Sequence, residues 1–210
     1  MRITAIERPP RKHRYEVRID HTMVVPLSAE VLAQANLRPG QEISSERIDA
    51  LQIAEARHSG LAAALRLLAC RSRSEKEMRE ALQRRGVPDG VLAETLARLR
   101  ELRLLDDHEF ARSYVELRDR ASPRGLRMLK AELLSKGVPR ADIDGSLASV
   151  DEHDAAFRAG ARRARTLRGC SYGDFQRKLG DHLLRRGFGY ETANETVKRL
   201  WAAREDGTED

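Results

Sequence analysis

The feature that most constrains this chain is an internal repetition, because a unit that recurs every 50 residues or so must fold more than once. Three segments align without gaps, at offsets of 51 and 50 residues. They read EALQRRGVPDGVLAETLARL from Glu80, AELLSKGVPRADIDGSLASV from Ala131 and DHLLRRGFGYETANETVKRL from Asp181. Apolar residues recur at equivalent positions in all three copies. The sequence therefore predicts three copies of one folded unit.

A glycine stands at the same place in each copy, directly after a basic residue that ends an apolar-periodic stretch. The three positions are Gly86, Gly137 and Gly187. A helix commonly ends with a left-handed residue just past its last turn, and glycine adopts that conformation without steric cost. Pro88 and Pro139 follow two residues later and suit the start of a new helix. Each unit is thus predicted to contain a helix, a glycine turn and a second helix.

A further helix is expected ahead of each pair, which gives three helices in a unit of this size. These leading helices are predicted over Leu61–Ala69, Phe110–Arg118 and Ala155–Leu167. A three-helix unit of about 50 residues buries little core alone, so neighbouring units are expected to stack.

The first 60 residues have a different pattern. Alternating or β-branched stretches predict strands over Ile3–Glu7, Tyr15–Ile19 and Met23–Val25. Ser28 is placed to cap a short helix through Ala35, and Ser44 or Ser45 to open another.

The predicted fold class is mainly α, with three tandem three-helix repeats in an elongated curved array, preceded by a small N-terminal β-hairpin and helix cap. The predicted boundaries are 1–59 for the α+β cap, 60–107, 108–154 and 155–203 for repeats 1 to 3, and 204–210 for an acidic tail.

Composition excludes several classes of protein. Charged residues make up 34% of the chain, and no apolar run approaches the roughly 20 residues that a membrane span requires. Cys70 and Cys170 lie far apart without metal-ligand spacing, so they are interpreted as small, buried or half-buried free thiols. We expect a cytoplasmic monomer that does not contact a membrane.

Residues that would carry catalysis are not apparent. The chain contains no nucleotide-binding glycine loop, no HExxH and no GxSxG, so we expect neither an enzyme nor a bound cofactor. The acidic run Asp106-Asp107-His108-Glu109 could suggest a metal site. Capping of a helix start by Asp106 is the favoured interpretation, since acidic residues stabilise that end of a helix.

The third repeat carries most of the positive charge. From Ala155 to Trp201 there are eleven Lys or Arg residues against four Asp or Glu. This predicts a surface that meets an anionic partner, such as phosphates or an acidic protein groove. Six of the aromatic residues, among them Phe188 and Trp201, also lie in this repeat, and they are interpreted mainly as core. The predicted partner and DNA-binding residues are Arg162, Arg163, Arg165, Arg168, Arg177, Lys178, Arg185 and Arg186.

Three stretches make the chain resemble the RecX family of recombination regulators. They are Arg73–Met78 with Leu82 and Gly86, Leu105–Asp107 followed by Phe110-Ala111 and Tyr114-Val115, and Arg124-Gly125 leading to Glu132–Val138. With the third repeat and the N-terminal cap, the similarity covers essentially the whole chain. One departure is Gly189, which stands where the first two repeats carry Pro88 and Pro139.

The resemblance implies a protein that lodges in the groove of the RecA filament on single-stranded DNA. It also implies inhibition of RecA, covering ATP hydrolysis, strand exchange and co-protease activity, and so regulation of recombinational DNA repair. Contact with single-stranded DNA is expected to be weak or through RecA, and duplex DNA is a further partner to consider. Two alternatives stay open: a helix-turn-helix transcriptional regulator that binds duplex DNA, and an adaptor whose repeats recognise only protein.

Overall fold

The structure is a computed structural model, and it describes residues 1–10 and 13–205, without the side chain of Glu205. The acidic tail expected from residue 204 onward therefore lies, after Glu205, outside the described residues. The chain divides into two compact units. The first comprises Met1–Arg73 and Glu77–Leu105, and the second comprises Ser74–Lys76 and the chain from Asp106 onward.

The first unit begins with a three-stranded antiparallel sheet. Its strands β1 (Ile3–Glu7), β2 (Tyr15–Ile19) and β3 (Met23–Leu27) lie in the order β1-β2-β3. The register pairs Ile3 with Ile19 and Val17 with Val25, so the alternate apolar side chains share one buried face. The predicted strands are confirmed, and β3 continues two residues beyond the predicted end.

Helix α1 (Ala29–Ala35) begins as predicted at Ser28, whose Oγ accepts a hydrogen bond from the backbone N–H of Val31. The carboxylate of Glu55 accepts the backbone N–H of Ser28 itself at 2.7 Å. Both contacts satisfy donors that a helix start leaves without partners.

Helix α2 (Ser45–Cys70) is one continuous helix of 26 residues. Ser44 caps α2 and Leu61–Ala69 is helical, as predicted. The two predicted helices form one helix, however, so their separation is wrong, and the expected boundary between residues 59 and 60 lies inside α2. Gly60 does not interrupt the helix. A Cβ at Gly60 would lie 3.4–3.6 Å from the side chains of Thr95, Val87 and Val91, which is ordinary van der Waals contact.

The remaining helices of the first repeat are α3 (Glu75–Gln83) and α4 (Asp89–Glu101). The second unit contains α5 (Asp107–Ala121), α6 (Leu126–Ser135), α7 (Arg140–Leu147), α8 (Glu152–Ala164), α9 (Tyr172–Arg185) and α10 (Tyr190–Glu205), with a 3₁₀ turn over Arg165–Leu167. Within residues 1–10 and 13–205, no helix combines the length and the apolarity that crossing a membrane requires.

Each repeat has a hydrophobic cluster of its own, as does the N-terminal cap. Leu82 and Leu96 centre the first, Leu133 and Ile143 the second, and Leu183 the third. The predicted mainly α fold, with three tandem helical repeats after a small sheet, is confirmed.

The three glycine turns have the predicted conformation, with φ of +74° at Gly86, +80° at Gly137 and +89° at Gly187. After each glycine, the next backbone N–H returns to the carbonyl five residues earlier. The three pairs are Val87 to Leu82, Val138 to Leu133 and Phe188 to Leu183, at 3.3, 3.1 and 3.3 Å. This bond satisfies a carbonyl at each helix end, which explains why the turn recurs.

In the second unit, the start of α6 lies directly on the Gly187 turn. The N–H of Gly125 donates to the carbonyl of Arg186 at 3.0 Å. A Cβ on Gly125 would overlap the carbonyl group of Gly187. The N–H of Leu126 donates to the Glu152 carboxylate at 3.0 Å. Thus the Gly187 turn supplies an acceptor carbonyl, and α8 supplies a capping carboxylate, to the start of α6.

The same arrangement recurs 51 residues earlier, at Ser74–Lys76, which belong to the second unit. Ser74 Oγ donates to the carbonyl of Lys136 at 2.6 Å, and the N–H of Glu75 donates to Asp107 Oδ1 at 2.8 Å. The Gly137 turn therefore receives a helix start in the way that the Gly187 turn does.

Helix α9 begins one turn earlier than this pattern would place it. The residue equivalent to Gly125 is Phe175, which is buried inside α9. The added turn is capped by Ser171, whose Oγ accepts the N–H of Asp174 at 3.4 Å. Ser171 is therefore the N-cap of α9.

Candidate nucleic-acid and partner interface

The eight predicted basic residues lie on α8, on the 3₁₀ turn and the residue after it, and on α9 with its C-cap. Asp151 fixes the start of α8, because its carboxylate accepts the N–H groups of His153 and Asp154 at 3.0 Å each. The arginines of α8 follow within this helix. Arg162 and Arg163 lie on the last turn of α8, Arg165 on the 3₁₀ turn, and Arg168 just after it.

Two of the predicted residues face the second repeat. Arg162 Nη1 donates to the carbonyl of Ala121 at 2.9 Å. Arg186 Nη1 donates to Ser122 Oγ at 3.1 Å and to the carbonyl of Pro123 at 3.3 Å. These acceptors lie at the C-terminal end of α5, where a helix presents free carbonyls and a partial negative charge.

Arg158, which is not among the eight predicted residues, makes the strongest contact of this kind. Its guanidinium donates to the carbonyl of Asp119 at 2.7 Å and to Asp119 Oδ1 at 2.6 Å. A third contact, at 2.7 Å, joins it to Asp154 on its own helix. Arg158, Arg162 and Arg186 together form what we call the inner arginines, and they hold the third repeat to the end of α5.

Three other predicted residues are engaged within the third repeat. Arg177 pairs with Asp174 at 2.7 Å, and Arg163 donates to Thr166 Oγ1 at 3.2 Å. The ammonium group of Lys178 lies 3.8 Å from the Cys170 sulfur. Cys70 and Cys170 are free thiols, and Cys170 is half-buried, as predicted. Cys70 is exposed, so the prediction that it is buried is wrong.

The last three predicted residues, Arg165, Arg168 and Arg185, are the outer arginines. Their side chains are exposed, and they make no hydrogen bond or ion pair within the described part of the chain. Exposed guanidinium groups without an intramolecular partner are suited to phosphates or carboxylates of another molecule. The structure thus separates one predicted cluster into inner, locally paired and outer groups.

The positive charge of these arginines contributes to lowered pKa values of two groups, Arg186 and His182. Burial lowers the pKa of Arg186, and the nearby charges of Arg124 and Arg162 lower it further. Burial also lowers the pKa of His182, with smaller contributions from Arg186, Arg163 and Arg185. This side of α9 therefore disfavours further positive charge.

The aromatic residues divide between core and surface. Phe175 and Phe188 are buried, as the core interpretation predicts, and Phe157 and Trp201 are partly buried against the same cluster. Tyr190 is 74% exposed, so the core interpretation is wrong for it. Tyr172 is also exposed, but it packs edge-on against Trp201, with ring centroids 5.2 Å apart.

Sequence reasoning missed Arg204, which had been assigned to the acidic tail. Helix α10 continues through this residue. Its guanidinium donates to the carbonyl of Arg168 at 2.9 Å and lies 4.9 Å from the centre of the Trp201 ring. The apolar run Leu200–Ala203 was the available signal, because it extends the helical periodicity to Arg204.

Asp106 is the N-cap of α5, since its carboxylate accepts the N–H groups of His108 at 2.9 Å and Glu109 at 3.1 Å. The capping interpretation of the acidic run is confirmed. In the described residues, no three His, Cys, Asp or Glu side chains are grouped to hold a metal ion.

Three successive helix, glycine-turn and helix units with separate cores define a tandem three-helix-repeat protein. Residues 61–99, 106–147 and 151–197 match, in that order, the first, second and third three-helix domains of RecX. The chain belongs to the RecX family.

Similar proteins support this assignment across most of the chain. The chain is 32% identical over 205 residues to Regulatory protein RecX of Levilactobacillus brevis, covering 94% of this chain and 76% of the relative. It is 39% identical over 140 residues to Regulatory protein RecX of Chlorobaculum tepidum, covering 67% and 87% of the two chains. A crystal structure of regulatory protein RecX superposes with a TM-score of 0.67 at 26% identity, covering 94% of this chain and 98% of the other.

Proposed function

We propose that this protein binds the RecA filament on single-stranded DNA and restrains RecA, thereby regulating recombinational DNA repair in the cytoplasm. It acts as a monomer, without a cofactor and without catalysis of its own. The observation that carries the proposal is the ordered match of all three repeats to the three RecX domains.

Two structural features support this role. The repeats have separate cores, as suits a protein that binds a polymer through its surface. The outer arginines offer three exposed cations to phosphates or acidic side chains of a partner. Long-range attraction of this kind speeds association with a polyanion.

The proposal is tested by measuring ATP hydrolysis by RecA on single-stranded DNA while this protein is added below the RecA concentration. We expect turnover to fall progressively at substoichiometric ratios. Raising the DNA concentration about tenfold separates two causes, because simple competition for phosphates is relieved by extra DNA, whereas binding to the filament is not. Unchanged hydrolysis at every ratio would contradict the proposal.

A transcriptional regulator of the helix-turn-helix type would behave differently in a binding assay. It would prefer one duplex sequence over random duplexes by at least about a thousandfold at physiological salt. Uniform binding across duplex sequences would exclude that alternative, and selective binding would favour it over the RecA role.

A further inference from the structure

We infer that a groove at the outer end of the third repeat holds one unstacked nucleotide of single-stranded DNA. This inference rests on the proposed function, since that function brings the protein to single-stranded DNA. The groove would be a defined site that prefers one form of DNA, and only some of the basic residues would take part in it.

The groove lies between the end of α8 with its 3₁₀ turn and the last turns of α10, entirely within the second unit. Its volume is about 610 Å³, inside the range of about 300–1,000 Å³ in which proteins hold small ligands. It is lined by Ala161, Ala164, Arg165, Arg168, Phe175, Leu200, Ala203 and Arg204.

Three guanidinium groups line this groove. Arg165 and Arg168 are outer arginines, exposed and without an intramolecular partner in the described chain. Arg204 is held in place by the carbonyls of Arg168 and Leu167, at 2.9 and 3.5 Å, and by its contact with the Trp201 ring. Planar guanidinium groups bind phosphate oxygens through paired hydrogen bonds, so they are suited to a phosphodiester.

The floor between these arginines is apolar. Small side chains at Ala161, Ala164 and Ala203 leave the space, and Phe175 and Leu200 close it from below. A phosphate alone would gain nothing from such a floor, whereas a base has a flat apolar face that can cover it. The combination of an apolar floor with cations therefore fits a nucleotide better than a free anion.

Trp201 places an aromatic cluster beside the groove. Its ring meets Phe175 with centroids 5.2 Å apart at 61°, and it meets Tyr172 at the same distance and 69°. The chain contains a single tryptophan. Since Arg204 contacts both the groove and this ring, a ligand that binds the groove should change the fluorescence of Trp201.

The form of DNA follows from the shape of the site. A base in a duplex is stacked and paired, so its faces are closed to a concave protein surface. A base in a single strand can turn out of the stack and enter the groove. The groove should thus prefer single strands, although duplex DNA carries the higher charge density.

The experiment titrates the protein with three oligonucleotides of equal length, at low salt and without RecA, while Trp201 fluorescence is recorded. The three are oligothymidine, a duplex, and a single strand of abasic residues. We expect oligothymidine to bind most tightly and to change the fluorescence. The abasic strand should bind more weakly and leave the fluorescence nearly constant. An equal response to all three would overturn the inference, as would no response to oligothymidine.

A pair of double variants tests whether the groove carries this binding. Arg165→Ala with Arg168→Ala should weaken oligothymidine binding about tenfold and abolish the fluorescence change. The control, Lys198→Ala with Arg120→Ala, removes the same charge from exposed residues of the second unit outside the groove. It should weaken binding less than about threefold and keep the fluorescence change. Equal losses in the two variants would mean that only net charge matters, which contradicts a built site.

Two further outcomes separate this inference from the proposed function. If ATP hydrolysis by RecA is inhibited while oligothymidine leaves Trp201 fluorescence unchanged, the groove assignment fails and the proposed function stands. If Trp201 responds to oligothymidine while RecA hydrolysis is unaffected, the groove stands and the proposed function fails. An oligoglutamate peptide that displaces oligothymidine and changes the fluorescence equally would assign the groove to an acidic protein segment, against the inference.

Discussion

The inner and outer arginines of the third repeat differ in what surrounds them, although they are the same residue type and lie within one stretch of chain. Arg158 and Arg162 on α8 donate to carbonyl groups near the end of α5. Arg165 and Arg168, only a few residues later, have no such acceptor in the described chain. Helix ends attract cations wherever they occur. Some arginines of a dense positive cluster can therefore be used to cap a helix of the same protein. The number of such charges in the sequence is then larger than the number available to a partner.

The largest effect on stability is expected where Gly125, at the start of α6, packs on the Gly187 turn close to the inner arginines. Gly125→Val should lower the free energy of unfolding by about 3 kcal/mol or more, because the new side chain overlaps Gly187 and breaks the bond to Arg186. Urea denaturation followed through Trp201 measures this change. The control is Gly173→Ala in α9, where a Cβ meets no other atom within 4 Å. A helical alanine at that site should raise stability slightly, and equal losses at both sites would contradict the description of the junction.

A smaller loss is expected at the inner arginines themselves. Arg158→Gln removes the paired contact with Asp119 and should cost about 1 kcal/mol, since both side chains are partly exposed and solvent screens the pair. A double-mutant cycle with Asp119→Asn isolates the interaction. A coupling free energy near zero would show that the ion pair between the Arg158 and Asp119 side chains does not stabilise the fold.

The stability of the protein should depend on pH through His182 on α9, whose surroundings are positively charged. The pKa of His182 is lower in the folded protein than its ordinary value near 6.5, so the unfolded chain binds the proton more readily. Stability from this group is complete above about pH 6.5 and is lost as the pH falls through the lowered value. His182→Gln should therefore lose less stability on acidification than the unaltered protein. Identical acid profiles for the variant and the unaltered protein would refute the effect.

The outer arginines should have the smallest effect on folding. Arg165→Ala and Arg168→Ala should each change the free energy of unfolding by less than about 0.5 kcal/mol, because neither side chain has an intramolecular partner in the described chain. Thermal unfolding measured by circular dichroism is sufficient to detect a larger change. A loss as large as that of Arg158→Gln would show that the two groups of arginines are not distinct.

Local features were predictable from the sequence because local chemistry decides them. The left-handed glycines follow from the position of Gly86, Gly137 and Gly187 after an apolar-periodic stretch, and the caps at Asp106 and Ser171 follow from short side chains at helix starts. The continuity of α2 across residue 60 was not predictable in this way, because α2 packs against β3, α1 and α4, and these contacts exist only in the folded chain.

The candidate site was predictable only as a region, for a related reason. Arg162 and Arg165 are indistinguishable in sequence, and they differ because folding places the carbonyl of Ala121, 41 residues distant from Arg162, beside only the first. A hydrogen bond to a backbone carbonyl far away in the chain produces no pattern in the sequence from which it could be predicted. Charge density located the surface on the third repeat, but the acceptors that occupy part of it depend on tertiary structure.

The additional turn at the start of α9 has a consequence for how many units can be joined in this way. A helix start can settle on a glycine turn when it offers a glycine or serine at its first position, as Gly125 and Ser74 do. In the third copy that position is Phe175, already enclosed in helix. The start of α9 therefore cannot settle on a further glycine turn in that way, because Phe175 belongs to the core of the third repeat.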